Sequence, residues 1–152
     1  MLDIAYVAGL IDGEGCVHLD VSRHRIHRAR VSVGMTEPAL GLLKSLKQGW
    51  GGTIYQARKA TEKWAAAYTW HITGEKASVF LREVGPSLLL KAEQARLALQ
   101  VEEIWAALPP RQNGQRLWDE KSVERCREIA ASLHDLNRKG PKKKISAQNA
   151  EG

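Results

Sequence analysis

This chain has almost nothing that could serve as a covalent or metal staple. Of its 152 residues only Cys16 and Cys126 are cysteines, too few for a disulfide framework and without the paired spacing of a zinc site. Such usage suits a reducing, intracellular compartment. No apolar run approaches the roughly 18 residues of a membrane-spanning helix, and Met1-Leu2-Asp3 carries an acid where a secretory signal carries basic residues. Neither membrane nor export is therefore expected, and organelle, bacterial and phage-host compartments stay equally open. Acidic charge is also in short supply, with 17 Asp and Glu against 23 Lys and Arg, a formal net charge of +6. What remains is ordinary globular material, 43% hydrophobic and 26% charged, in a chain long enough to bury one core.

The basic excess is clustered. Arg23, His24, Arg25, His27, Arg28 and Arg30 crowd one stretch near His18, and Arg138, Lys139, Lys142, Lys143 and Lys144 form a second group. Clustered cations are the footprint of a polyanion, because each phosphate they neutralise releases condensed counterions. Charge alone fits a solvated basic face equally well.

Apolar spacing predicts a helix over residues 2–13, with Ile4, Val7, Leu10 and Ile11 on one stripe and Gly13 and Gly15 at its end. Strict alternation follows. Val17, Leu19 and Val21 face one way and Cys16, His18, Asp20, Ser22 and His24 the other. After a polar turn, Ala29, Val31, Val33 and Met35 alternate with Arg28, Arg30, Ser32 and Gly34, which reads as a hairpin. Thr36 is the expected N-cap of a helix running to about 48. A second hairpin is expected over 53–58 and 66–73, and helices over 75–84, 87–108 and 117–137. The order is αββαββα with extra C-terminal helices, an α+β fold. One domain over 1–137 is expected, followed by a basic tail over 138–152 without apolar periodicity.

The first helix carries a second stripe, Ala5, Ala8, Gly9, Asp12 and Gly13, with almost no side-chain bulk. Glycine weakens a helix interior by roughly 0.5–1 kcal/mol relative to alanine, so Gly9 calls for a close approach by some other backbone. Two carboxylates, Asp12 and Glu14, alternate with Gly13 and Gly15 where this helix ends. Val7-Ala8-Gly9-Leu10-Ile11-Asp12-Gly13-Glu14-Gly15 resembles the LAGLIDADG homing endonuclease motif at six of nine positions. Helix and strand order to about residue 108 is similar to that fold, whose four antiparallel strands form a saddle. Val7, Gly13 and Glu14 depart from the motif.

A single copy resembles the intron-encoded, homodimeric branch, in which two motif helices pack across a two-fold axis. That resemblance implies a dimer interface through Ala5, Ala8, Gly9 and Asp12, and a metal site at Glu14 with the Gly13 carbonyl. Two carboxylates about 5 Å apart repel by roughly 3 kcal/mol at an effective dielectric near 20, which a shared divalent cation relieves. Oxygen donors without His or Cys suit Mg²⁺, an ion that activates water and polarises a scissile phosphate. The resemblance also implies a water-orienting role for Glu37 and a phosphate-stabilising role for Lys91. By itself, Glu37 at a helix N-terminus equally fits a dipole contact of about 0.3–1 kcal/mol, and Lys91 fits a solvated helix lysine.

On a saddle, the polar strand faces would lie in the major groove. The expected DNA-binding residues are His18, Asp20, Ser22, His24, Arg28, Arg30, Ser32, Tyr55, Arg58, Thr69 and His71. Trp50, Trp64, Trp70, Trp105 and Trp118 are expected in core or interface. The implied activity is a Mg²⁺-dependent, site-specific double-strand DNA endonuclease with a long pseudo-palindromic target and no small-molecule substrate. An intron maturase and a non-cleaving DNA-binding protein of the same fold are the alternatives.

Overall fold

The computed structural model describes residues 1–22, 25–110 and 116–138; side chains from 20 to 27 lie outside that description. Helix α1 (Ile4–Glu14) starts two residues later than its apolar stripe suggests, because the Asp3 carboxylate accepts from the Tyr6 N–H at 3.2 Å and caps it. Val7, Ala8 and Ile11 form its buried face. The chain turns directly into β1 (Gly15–Ser22) at a close approach. A Cβ on Gly15 would stand 2.8 Å from the Ile11 Cα and 2.9 Å from the Ile11 carbonyl oxygen.

Strands β2 (Arg25–Thr36), β3 (Thr53–Arg58) and β4 (Ala67–Thr73) complete a four-stranded antiparallel sheet in the order β1-β2-β4-β3. Thr36 ends β2 instead of capping a long helix. One 3₁₀ turn, Glu37–Ala39, separates it from α2 (Leu40–Trp50), since Pro38 is accommodated in that first turn. The positive φ of Gly51 (77°) and Gly52 (91°) turns the chain from α2 into β3.

Helices cover one face of the sheet. Val17, Ala29, Val31, Val33, Trp70 and Ile72 point into the main core, beneath α1, α2, α3 (Gly74–Val84) and the start of α4 (Ala92–Ala107). A second cluster joins Leu19, Leu97 and Val101 to Cys126, Ile129 and Leu133 of α5 (Glu120–Asn137). Burial pushes the Cys126 thiol up to about 11, so this cysteine is packing, not a nucleophile. The helix expected over 87–108 begins only at Ala92, and the one expected from 117 begins at Glu120, where the Asp119 carboxylate accepts from the Ser122 N–H at 2.8 Å. The expected tail lies outside the described residues from 139 onward.

Candidate active site and nucleic-acid face

Late initiation of α4 has a local cause at the end of α1. The Asp12 carboxylate accepts three backbone hydrogen bonds, from Leu89 at 2.8 Å, Leu90 at 3.1 Å and Lys91 at 2.9 Å. In return, the Lys91 ammonium donates to the Ile11 and Asp12 carbonyls, both at 2.8 Å. These are last-turn carbonyls of α1, where a cation is favoured by the helix dipole. Burial tends to raise the Asp12 pKa, but the three N–H groups and the Lys91 charge outweigh it and hold the carboxyl below its ordinary value. The clamp joins the two segments and leaves Glu14 exposed one turn-edge beyond it.

Residues expected at the reaction centre are brought to one end of the sheet. Gly15, next to Glu14, opens β1 opposite Val33 of β2, and exposed Glu37 follows the last residue of the same β2 strand. Lys91 reaches the motif through its ammonium. Glu14 and the helix-terminal Gly13 carbonyl offer hard oxygen donors at the negative end of α1, which fits a divalent cation such as Mg²⁺. Among the described residues no group of three or more His, Cys, Asp or Glu is placed to hold a metal.

The small-residue stripe is only partly a surface. Ala8 is buried in the main core, and the Asp12 carboxylate faces residues 89–91, so neither presents itself to a partner as expected. Ala5, Gly9 and Gly13 are exposed, and a Cβ on Gly9 or Gly13 would meet nothing within 4 Å. Among the described residues no contact within this chain requires either glycine. Leu89 and Leu90, 88% and 75% exposed, stand beside the same helix end.

The face of the sheet opposite the helices is built in cross-strand rows. His18 pairs with Arg30, and Arg30 with Thr73; Ser32 pairs with His71, and His71 with Thr53; Gly34 pairs with Thr69, and Thr69 with Tyr55. His18, Arg30, Ser32, Tyr55, Thr69 and His71 thus share one polar face. Thr53, Thr73 and Cys16 share it too and were recoverable from the same alternation. Burial, then the neighbouring Arg30 charge, pushes the His71 pKa down. The Tyr55 ring lies edge-on to His71 at 5.6 Å. The calls on Asp20, Ser22 and His24 lie outside the described side chains.

Arg28 is a correction. Its Nε donates to Glu102 Oε2 at 2.7 Å and its guanidinium stacks 3.5 Å above the Trp105 ring, so α4 holds it. Pairing shifts by one residue between Leu19↔Ala29 and Val21↔Ile26, and this irregularity breaks the alternation from which Arg28 was placed beside Arg30.

No family model matches the chain, and no curated protein matches it in sequence. Solved structures do. The homing endonuclease I-CvuI in complex with its target, in the presence of Ca, superposes with a TM-score of 0.70 at 23% identity, covering 96% of this chain and 88% of that one. The chain has the fold of the LAGLIDADG homing endonucleases. Archaeal intron-encoded I-Vdi141I, complexed with DNA, gives 0.68 at 18% identity, covering 92% of this chain and 87% of that one. The LAGLIDADG meganuclease I-AabMI, bound to uncleaved DNA, gives 0.70 at 19% identity, covering 97% of this chain but 50% of its own. One LAGLIDADG chain therefore spans this protein once and another has room for it twice.

Proposed function

We propose that this protein is a homodimeric, divalent-metal-dependent endonuclease that cuts both strands of a long pseudo-palindromic DNA target. One observation carries the reading: the α1 face through Ala5, Gly9 and Gly13 is open to within 4 Å of both glycines and ends in exposed Glu14. A second copy packed there brings two Glu14 carboxylates together. The half-length coverage of I-AabMI supports the same arithmetic, and so do the basic excess and the polar sheet face.

Each residue then has a defined task. Glu14 and the Gly13 carbonyl hold the cation, which is proposed to be Mg²⁺; such an ion supplies an activated water and positive charge at the phosphate. Glu37, at the same end of the sheet, orients the attacking water. Lys91 neutralises the α1 terminus and stands ready to exchange a carbonyl for a phosphate oxygen. His18, Arg30, Ser32, Tyr55, Arg58, Thr69 and His71 face the major groove.

The deciding experiment is selection of cleaved targets from a random plasmid library in Mg²⁺, with Ca²⁺ in parallel. Linear product at a recurring site in Mg²⁺ is expected. Binding without cutting would establish the non-cleaving DNA-binding alternative, and preference for folded intron RNA would establish the maturase.

A further inference from the structure

Four of the five tryptophans are buried or half-buried. Trp70 is fully buried, Trp50 lies edge-on to Phe80 at 5.1 Å, Trp105 sits against Arg28 and Arg116, and Trp118 packs on the second cluster. Trp64, expected in core or interface, is 62% exposed in the segment joining β3 to β4 and so is not a core residue of this chain.

That segment is built to present the ring. The Thr61 N–H donates to the Trp64 carbonyl at 2.8 Å and the Trp64 N–H to the Thr61 hydroxyl at 3.1 Å, which closes the turn on itself. Arg58 donates to the Ala65 carbonyl at 3.2 Å and holds its guanidinium 5.6 Å from the Trp64 ring centroid. A bulge between Gln56 and Arg58 sets the direction. Tyr55 pairs with Thr69, and after the extra residue Arg58 pairs with Ala67, which shares the parity of Thr69 and His71. Without the bulge, Arg58 would turn toward the helices. With it, Arg58 and the indole it backs belong to the open polar face, at the end of the sheet where Glu14 and Glu37 lie. Exposed Lys59 and Lys63 flank them, with Glu62 as the lone acid among residues 58–64.

We propose that this loop contacts the DNA target close to the cutting centre, with the Trp64 ring packed against a base edge in the groove and Arg58, Lys59 and Lys63 on the adjoining phosphates. The proposal rests on the endonuclease reading. An indole suits the task because its large, rigid, amphipathic surface can cover an apolar base edge such as a thymine methyl in an intact duplex, while the three cations supply the backbone contacts.

The test uses a fluorescein-labelled duplex of the selected target, bound in Ca²⁺ by full-length protein. Trp64→Ala is expected to weaken binding about 5- to 20-fold, Trp64→Phe by no more than about 3-fold, with both variants melting as wild type. Indole emission quenched by DNA in the wild type should be missing from the Trp64→Ala difference spectrum. Equal affinity of wild type and Trp64→Ala overturns the proposal. So does a weakened Trp64→Ala that sediments as a monomer, because the ring then serves a protein contact. Absence of any duplex binding by the wild type would instead sink the endonuclease reading beneath it.

Discussion

Replacing Asp12 with alanine should unfasten the motif helix from the start of α4. Three N–H groups lose an ionised acceptor that now lies within 2.8–3.1 Å of each. A charged hydrogen bond is worth about 1.5–3 kcal/mol when water cannot replace it. Leu89 and Leu90 are exposed and Lys91 half-buried, so water satisfies two of the donors and the loss falls to about 2 kcal/mol, nearer the scale of a lost helix cap. For a chain of this size that corresponds to a Tm about 4–8 °C lower at pH 7. Asp12→Asn, with one acceptor oxygen left, should lose about half as much. The pH dependence follows from the depressed Asp12 pKa. A carboxyl whose folded pKa lies below its unfolded value stabilises fully above the unfolded value and loses that stabilisation as pH falls through the folded one. The gap between wild type and Asp12→Ala should thus be whole at pH 7 and shrink below about pH 4. Thermal melts followed by circular dichroism decide the matter. An Asp12→Ala melt within about 1 °C of wild type at pH 7, or a gap undiminished in acid, would refute the reasoning.

Other outcomes are equally specific. Glu14→Gln should abolish cutting in Mg²⁺ while leaving DNA affinity equal or higher, because a charge repelled by phosphate is gone; gel shift and cleavage assays run side by side check this, and wild-type cutting would remove Glu14 as metal ligand. Gly9→Leu should leave each protomer folded, since nothing within 4 Å obstructs the new Cβ, yet sediment as a monomer; an intact dimer would end the α1 contact. Gly15→Ala should behave in the opposite way, lowering Tm through its 2.8 Å clash with Ile11, and unchanged stability would show that the approach relaxes freely.

Much of the fold could be read from alternation alone. Val17, Leu19, Ala29, Val31 and Val33 alternate with polar residues, and they do fill the core while the partners at their sides share the open face. The motif stripe was legible in the same way, but its two halves were not separable by spacing. Ala8 and Gly9 are adjacent, and only the packing of α1 on the sheet decides that one faces the core and the other the surface. The break before α4 was hidden because Leu88, Leu89 and Leu90 extend a helical apolar pattern. The capping partner that ends it, Asp12, is 77 residues away along the chain. Bulges were hidden for a related reason. An extra residue leaves no compositional mark: unbroken parity put Arg28 on the open face, from which the irregularity in β2 removes it, and would put Arg58 with Ile54 on the helix side, whereas the bulge in β3 turns it to the open face.

Arg28 and Arg30 therefore make a sharp pair of perturbations, two residues apart and opposite in consequence. Glu102 is almost wholly buried, and burial pushes its pKa up against the opposing pull of Arg28 and Arg82. Arg28→Met leaves that carboxylate without its bonded partner. Breaking a buried pair from one side costs about 3–5 kcal/mol; Arg28 is 27% exposed, so about 2–3 kcal/mol is expected. Adding Glu102→Gln should recover a large part of it, because the uncompensated charge is removed. A raised folded pKa places the cost of ionising Glu102 above that value and relieves it below, so the Arg28→Met deficit should be smaller at pH 5 than at pH 8. Arg30→Ala should do the reverse. Its Nε is buried without a partner, beside His71 on the polar face, so stability should hardly change while DNA affinity falls. Melting and binding measured on both variants separate the roles, and equal losses from Arg28→Met and Arg30→Ala in both assays would mean that the bulge does not divide the two arginines between the helices and the DNA.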